Sequence, residues 1–189
     1  TVPVVGAGTA NTETEVLTGM STRFFGPGEY PYKTVLTENT AESVAYILKD
    51  LGYGTHAVHN HRGVFYGRNK VYKNLGFDTF TSLEYMSNTS MTPKNWCKDK
   101  VLTGEIEAAL DSTDTPDLVY TVSVQGHGKY PTAPELEEPA ITVESIPNED
   151  QHYSMEYYAN QIHEMDEFIG QLVEMLENRD EKTILVLYG

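Results

Sequence analysis

Apolar positions along the chain follow two periods, and the alternation between them predicts the architecture. Val44, Ile47, Leu48 and Leu51 recur at helical spacing, so a helix is expected from about Thr40 to Leu51, closed by Gly52. Val101, Leu102, Ile106 and Leu110 predict a second helix over Lys100 to Leu110. Tyr158, Ile162, Met165, Ile169, Leu172 and Leu176 form the stripe of a long helix from about Gln151 to Asn178. Asn69 is expected to cap a short helix containing Val71, Tyr72 and Leu75 that ends at Gly76. Between these lie short, dense apolar runs of strand length: Thr55 to Val58, Phe77 to Phe80, Asp117 to Val124 and Thr183 to Tyr188. Residues 20–38 and 131–150 are punctuated by glycine, proline and acidic residues and read as loops, and residues 84–98 show no period. Strands alternating with helices predict an α/β fold with a mostly parallel central sheet and helices on both faces.

One stretch near the start carries chemistry. Gly6-Ala7-Gly8 is a tight Gly-x-Gly turn after the apolar Val4-Val5, and it delivers Thr9 to a short helical pattern with Val16 and Leu17 inward and Gly19 as its C-cap. Thr9 has two readings. Local sequence favours a helix N-cap, a common use of threonine. The other is a nucleophile at a helix N-terminus, where free N–H groups and the dipole favour an anionic ester.

In parallel sheets ligands bind beyond the carboxyl ends of the strands. His59 lies just past one predicted strand and His127, between Gly126 and Gly128, just past another. Gly189 stands just past a third, so these positions converge on one rim. His59 and His61 flank Asn60 in a polar loop. Arg68 suits an anionic substrate or a surface ion pair, and Tyr66 a pocket wall or simple packing. His56 reads as structural, His152 and His163 as helix-surface or packed residues, and Trp96 and Cys97 as packing residues. The acidic run Glu135 to Glu138 reads as a solvated loop.

Composition narrows the partners. With 189 residues, 39% hydrophobic and 22% charged, the chain can build one real core. Thirteen basic residues against 28 acidic ones give a net charge of -15, which argues against non-specific nucleic-acid binding and electrostatic docking on anionic lipid. The single cysteine, Cys97, excludes an internal disulfide. No apolar run approaches the ~20 residues of a membrane span. The chain opens at Thr1 without an initiator methionine and stops at Gly189 after a strand-like run, so it is expected to be a fragment, and absent targeting signals say nothing about the parent.

Four ordered blocks resemble one family. Gly8-Thr9-Ala10-Asn11-Thr12-Glu13 with Glu15 to Gly19 is similar to the nucleophile region of lipoteichoic acid synthases, phosphoglycerol transferases of the sulfatase and alkaline phosphatase superfamily. Gly52 to His59, Phe65-Tyr66-Gly67-Arg68 and Tyr72 to Asp78 resemble a second block. Gln125-Gly126-His127-Gly128-Lys129-Tyr130-Pro131 resembles a third, and Ile184 to Gly189 the strand before the family's Asp-His metal pair.

The resemblance implies an alkaline phosphatase/sulfatase-like fold, incomplete at both ends, with residues 1–189 forming part of an extracellular catalytic domain. It implies that Thr9 coordinates a divalent metal, typically manganese with magnesium or zinc as alternatives, and attacks a phosphodiester to give a phospho-threonine. His59, Tyr66, Arg68 and His127 align with substrate-binding positions, Tyr66 standing where relatives often carry Trp. The implied donor is a phosphatidylglycerol-like lipid. The implied acceptor is a glycolipid or glycerol-phosphate polymer, at the outer face of the cell membrane, with a membrane-anchored parent. The family's upstream metal-binding Glu is expected before Thr1 and its Asp-His pair after Gly189. The rivals are a phosphodiesterase or other ester hydrolase, and a non-catalytic binding domain of the same fold. True sulfatases use a Cys/Ser-x-Pro-x-Arg motif that is absent at Cys97-Lys98-Asp99-Lys100. Phosphoethanolamine transferases imply several disulfides, against one cysteine here.

Overall fold

The computed structural model describes residues 8–189. The apolar Val4-Val5 pair and the Gly6 bend read from the sequence lie outside the described residues. In chain order the elements are α1 (Thr9–Thr18), α2 (Val35–Glu38), α3 (Val44–Asp50), β1 (Gly54–His59), α4 (Arg68–Asn74), β2 (Thr79–Ser82), α5 (Val101–Leu110), β3 (Asp117–Val122) and α6 (Glu149–Glu177). Four short 3₁₀ turns accompany them, two in the loop before α2.

The three strands form one parallel sheet in the order β2-β1-β3. Residue pairing runs from Gly54↔Asp117 to His59↔Val122 on one side of β1, and from His56↔Thr79 to His59↔Ser82 on the other. The central strand is buried along its whole length, as a strand covered on both faces must be. Its side chains alternate between two cores. Ala57 joins Ala10, Leu17, Tyr32, Val71, Tyr72 and Tyr120 on the face covered by α1 to α4. Val58 joins Leu102, Ile106, Phe168 and Leu172 on the face covered by α5 and α6. This two-residue period, at ~25 cal/mol per Å² of apolar area buried, fixes the register, because a one-residue slip would exchange the two faces.

The predicted elements appear with shifted boundaries, and three expectations need correction. The segment Thr183 to Tyr188 joins no ladder: Ile184 is 91% exposed and Val186 73%, and it touches the sheet through the Tyr188 hydroxyl, 2.6 Å from that of Tyr120. Its strand-like composition therefore finds no hydrogen-bonding edge among the described residues. The helix placed at Thr40 to Leu51 begins only at Val44, because the Ser43 hydroxyl accepts the Tyr46 N–H and caps it there. Its buried face carries Ala45, while Ile47 and Leu51 point outward. α4 starts at Arg68, with left-handed Gly67 rather than Asn69 before it. By contrast α1 ends where expected: Gly19 takes a left-handed conformation and its N–H closes on the Glu15 carbonyl at 2.9 Å. No helix among the described residues is long and apolar enough to cross a membrane.

Candidate active site at the strand ends

α1 presents Thr9. Gly8, at φ 63°, occupies the cap position and offers no side chain, so Thr9 is the first residue inside the helix rather than its cap. Its side chain is exposed, and no hydrogen bond to its hydroxyl occurs among the described residues. An unengaged hydroxyl beside the free N–H groups of a helix start is placed for an anion. A Cβ built on Gly8 would stand 3.7 Å from Tyr66 Oη, so the Tyr66 phenol reaches the turn that carries Thr9. The positive φ at Gly8 is strained for any residue with a side chain.

One turn further along α1, Glu13 is buried under the rim. Arg68 Nε donates to Glu13 Oε2 at 3.1 Å, Arg68 Nη2 donates to Oε1, and the Tyr72 hydroxyl donates to Oε2 at 2.7 Å. Glu13 and Arg68 are 1% and 2% exposed. Burial opposes the guanidinium charge, and the Glu13 carboxylate outweighs it and holds Arg68 protonated. Arg68 is thus neither a surface ion pair nor, in this structure, turned to a substrate: its fork is filled by Glu13. It still supports the rim, since its guanidinium carbon lies 5.3 Å from the Tyr66 ring centre.

His59 ends β1 and is 3% exposed. Its Nδ1 sits 2.7 Å from the Val122 carbonyl, which can only accept, so Nδ1 carries the proton and donates it there. Burial, then the Arg68 charge, lowers its pKa from 6.5 to about 4. At neutral pH the ring is therefore neutral, and Nε2 is an acceptor.

From His59 a continuous run of rings crosses the rim. His61 lies 5.9 Å from His59, 5.0 Å from Phe65 and 5.5 Å from Trp96, centre to centre. Phe65 lies edge-on to Tyr66 at 4.6 Å, and Trp96 leans on His127 at 4.4 Å with the rings tilted by 38°. His59, Tyr66 and His127, far apart in sequence, are thus joined through His61, Phe65 and Trp96. His127 itself is exposed, in a turn closed by its N–H on the Val124 carbonyl at 3.0 Å. On the other side of Tyr66, Tyr30 stacks at 5.7 Å, and the exposed Lys33 ammonium sits 5.1 Å from the Tyr66 ring centre.

Sequence reasoning missed Trp96, Glu13 and Lys33. Trp96 lies in the stretch without periodicity, so no element predicted where its ring would point. Glu13 stood inside the Thr9 motif, and an acid one helical turn past a candidate nucleophile was the available signal. His56 is structural, as read: Nδ1 is 2.7 Å from the Thr79 hydroxyl and Nε2 3.1 Å from Asp117 Oδ1.

The donor set does not amount to a metal site. Among the described residues no group of three or more His, Cys, Asp or Glu side chains is placed to hold a metal ion. Thr9 is at most one corner of one.

The model of the family described as Sulfatase matches residues 2–189. Over 188 residues, 99% of this chain and 29% of the relative, the sequence is 35% identical to "Putative cyclic beta-1,2-glucan modification protein" of Rhizobium meliloti (strain 1021). Among solved structures, the lipoteichoic acid synthase LtaP from Listeria monocytogenes superposes with a TM-score of 0.69 at 20% identity, over 92% of this chain and 41% of that one. The Streptococcus pyogenes phosphoglycerol transferase GacH, in complex with sn-glycerol-1-phosphate, gives 0.65 at 19% identity, over 90% and 46%. These two likenesses establish the fold, and the chain spans less than half the length of each relative.

Proposed function

We propose, on the premise that the chain belongs to the sulfatase family, that it carries the nucleophile side of a phosphoglycerol transferase. The observation that carries this reading is the exposed Thr9 hydroxyl, unengaged among the described residues, at the start of α1 and beside a rim of aromatic and imidazole groups. GacH is solved with a glycerol phosphate, and the fold shared with it favours the same chemistry here.

The residues divide the work. The Thr9 oxygen attacks the phosphorus of a phosphatidylglycerol-like lipid. A Thr9 O–P bond forms, the bond from phosphorus to the diacylglycerol oxygen breaks, and the Thr9 proton is lost as the diacylglycerol oxygen gains one. An acceptor hydroxyl then attacks the phospho-threonine and regenerates Thr9. The α1 N-terminus faces the charge that develops on the phosphoryl oxygens. His59 Nε2, held unprotonated, accepts a hydrogen bond from a glycerol hydroxyl. Tyr66 walls the pocket next to Gly8, and His127, backed by Trp96, closes the opposite side. The resemblance adds a divalent metal at Thr9, manganese by preference, whose remaining ligands are not among the described residues. The setting is the outer face of a cell membrane, in a membrane-anchored parent.

The acceptor has two readings. The family resemblance favours a glycolipid or glycerol-phosphate polymer. The name of the 35% identical relative favours a glucan. So does a groove of about 450 Å³ lined by Tyr130, Thr132, Gln151, Ser154, Met155 and Tyr158, whose rings and polar groups suit a sugar. Tyr130 adjoins the His127 turn, its hydroxyl donating to the Gly126 carbonyl at 2.9 Å.

The test uses the parent protein with headgroup-labelled phosphatidylglycerol. Thr9→Ala is expected to lower diacylglycerol release on the order of 10³-fold or more. Wild type is expected to trap label on Thr9 when acceptor is withheld. Release that survives in Thr9→Ala moves the nucleophile elsewhere. Label passing to added cyclic glucan rather than to glycerol-phosphate polymer selects the glucan reading.

A further inference from the structure

A second buried carboxylate lies beneath the rim, and the chemistry above does not use it. Asp99, fully buried, stands just before α5, three residues after Trp96. Its Oδ1 accepts two bonds: one from Asn60 Nδ2 at 2.7 Å and one from the Gln125 backbone N–H at 3.3 Å. Its own N–H donates to Gln125 Oε1 at 2.6 Å. Asn60 directly follows His59 at the end of β1, and Gln125 stands two residues before His127 in the turn after β3. The far ends are anchored as well. Asn60 Nδ2 also donates to the Cys97 carbonyl at 3.1 Å, and Gln125 Nε2 donates to Gln161 Oε1 at 3.1 Å and to Glu164 Oε2 at 2.6 Å on α6.

We infer that Asp99 is a positioning residue, a buried strut that fixes the separation of the loops presenting His59 and His127. The inference rests on the transferase reading for its consequence in catalysis, not for its geometry. β1 and β3 are locked together only as far as His59↔Val122. Beyond that pair the two chains leave the ladder, and the Asp99 oxygen takes over by bridging them one residue past His59 and two before His127. The same short segment sends Trp96 onto the His127 ring. Segment 96–99 therefore holds His127 by stacking from one side and through Gln125 from the other.

The bonding pattern says which property of Asp99 matters. Both bonds run to Oδ1, while Oδ2 and Asn60 Oδ1 are buried and have no partner. Burial pushes the Asp99 carboxyl above the usual range. What the geometry uses is the acceptor at Oδ1. An amide with its oxygen at the Oδ1 position keeps both bonds, and its NH₂ falls at the orphaned position.

The test uses the full-length parent and two readouts: kcat/KM for phosphatidylglycerol turnover, and the imidazole ¹H–¹⁵N signals of His59 and His127. Asp99→Ala is expected to lower kcat/KM by about ten- to a hundredfold, the range for losing a group that orients a site residue, and to shift both imidazole signals. Asp99→Asn is expected to stay within about threefold of wild type, because the acceptor geometry survives. Asn60→Ala, which cuts one arm, is expected to move the His59 signal and leave that of His127 in place. The inference is overturned if Asp99→Ala leaves rate and both signals unchanged, or if Asp99→Asn is as damaged as Asp99→Ala. Should Asp99→Ala fail to fold, Asn60→Ala decides, since an unmoved His59 signal removes the strut. Should the wild-type parent not turn over the lipid, the functional reading falls, and the imidazole signals still judge the strut on their own.

Discussion

Two polar clusters lie at the strand ends, one of them a helical turn from Thr9, and they are built on opposite terms. The Glu13–Arg68–Tyr72 cluster is closed: both carboxylate oxygens are engaged by groups from α4, and the pair is shut away from water. The His61–Trp96–His127 run is open: rings lean on one another at 4.4–5.5 Å, and His127 reaches solvent. The difference separates support from contact. A group whose hydrogen bonds are all satisfied inside the protein has none to offer a ligand, whereas His127, whose Nδ1 meets the Gly128 carbonyl, keeps Nε2 without a partner among the described residues. Arg68 and His127 look alike as candidates in sequence, and burial with pairing tells them apart.

The sharpest way to break that comparison is to remove one member of the closed cluster. Arg68→Ala leaves Glu13 charged and buried, so a loss of about 3–5 kcal/mol in unfolding free energy is expected, read by denaturant titration of the parent protein. Removing Glu13 as well, in Arg68→Ala/Glu13→Leu, is expected to recover a substantial part of it, because an apolar pair has no stranded charge. An Arg68→Ala protein within about 1 kcal/mol of wild type, with impaired substrate binding, would move Arg68 from support to contact.

His59 stands between the two clusters, and pH reads its position. Its folded-state pKa is about 4 against 6.5 for an ordinary histidine, so the unfolded chain binds the extra proton first as pH falls. The contribution of this group is therefore complete above about pH 6.5 and is lost as pH drops toward 4. The full effect is about 3 kcal/mol by linkage. Denaturant midpoints from pH 8 to pH 4 are expected to be flat and then to fall across that window, and His59→Gln is expected to flatten the fall. A midpoint that drops only below pH 4 would show that His59 is not buried against Arg68.

Much of this was legible in the chain. The strands β1, β2 and β3 announce themselves as short apolar runs, and the rule that sites lie past the carboxyl ends of parallel strands brings His59 and His127 to one rim before any coordinates. Gly8 before Thr9 and Gly19 after α1 are equally readable, since a positive φ and a left-handed cap need glycine. What sequence did not show are the facts that depend on three-dimensional partners. No local pattern says that Arg68 will find Glu13, 55 positions away, before it finds a substrate. Nor does one say that Thr183 to Tyr188, apolar enough for a strand, lies outside every ladder. Periodicity assigns a residue to an element, but the residues of 84–98 have none to be assigned by. Trp96 and Asp99 could be placed only by the contacts they make.

The gentlest test works on the open cluster, where stability and activity are expected to part. Trp96 is only partly buried, and its contacts are ring stacking against His61 and His127. Such pairs contribute about 0.5–1.5 kcal/mol, so Trp96→Ala is expected to lower unfolding free energy by about 1 kcal/mol at most. The same change frees the His127 ring from the Trp96 surface, and under the proposed function, in which His127 closes the pocket, that loosening is felt in rate. A loss of about tenfold in kcat/KM is therefore expected, equivalent to about 1.4 kcal/mol of transition-state stabilisation. Trp96→Phe keeps a flat surface under His127 and is expected to recover most of it. The ratio of the two effects is what distinguishes the clusters. Arg68→Ala should lose stability first and activity as a consequence, while Trp96→Ala should lose activity with the fold intact. If Trp96→Ala instead unfolds the protein as readily as Arg68→Ala, the rim is as closed as the triad beneath it, and His127 is held by packing rather than offered to a substrate.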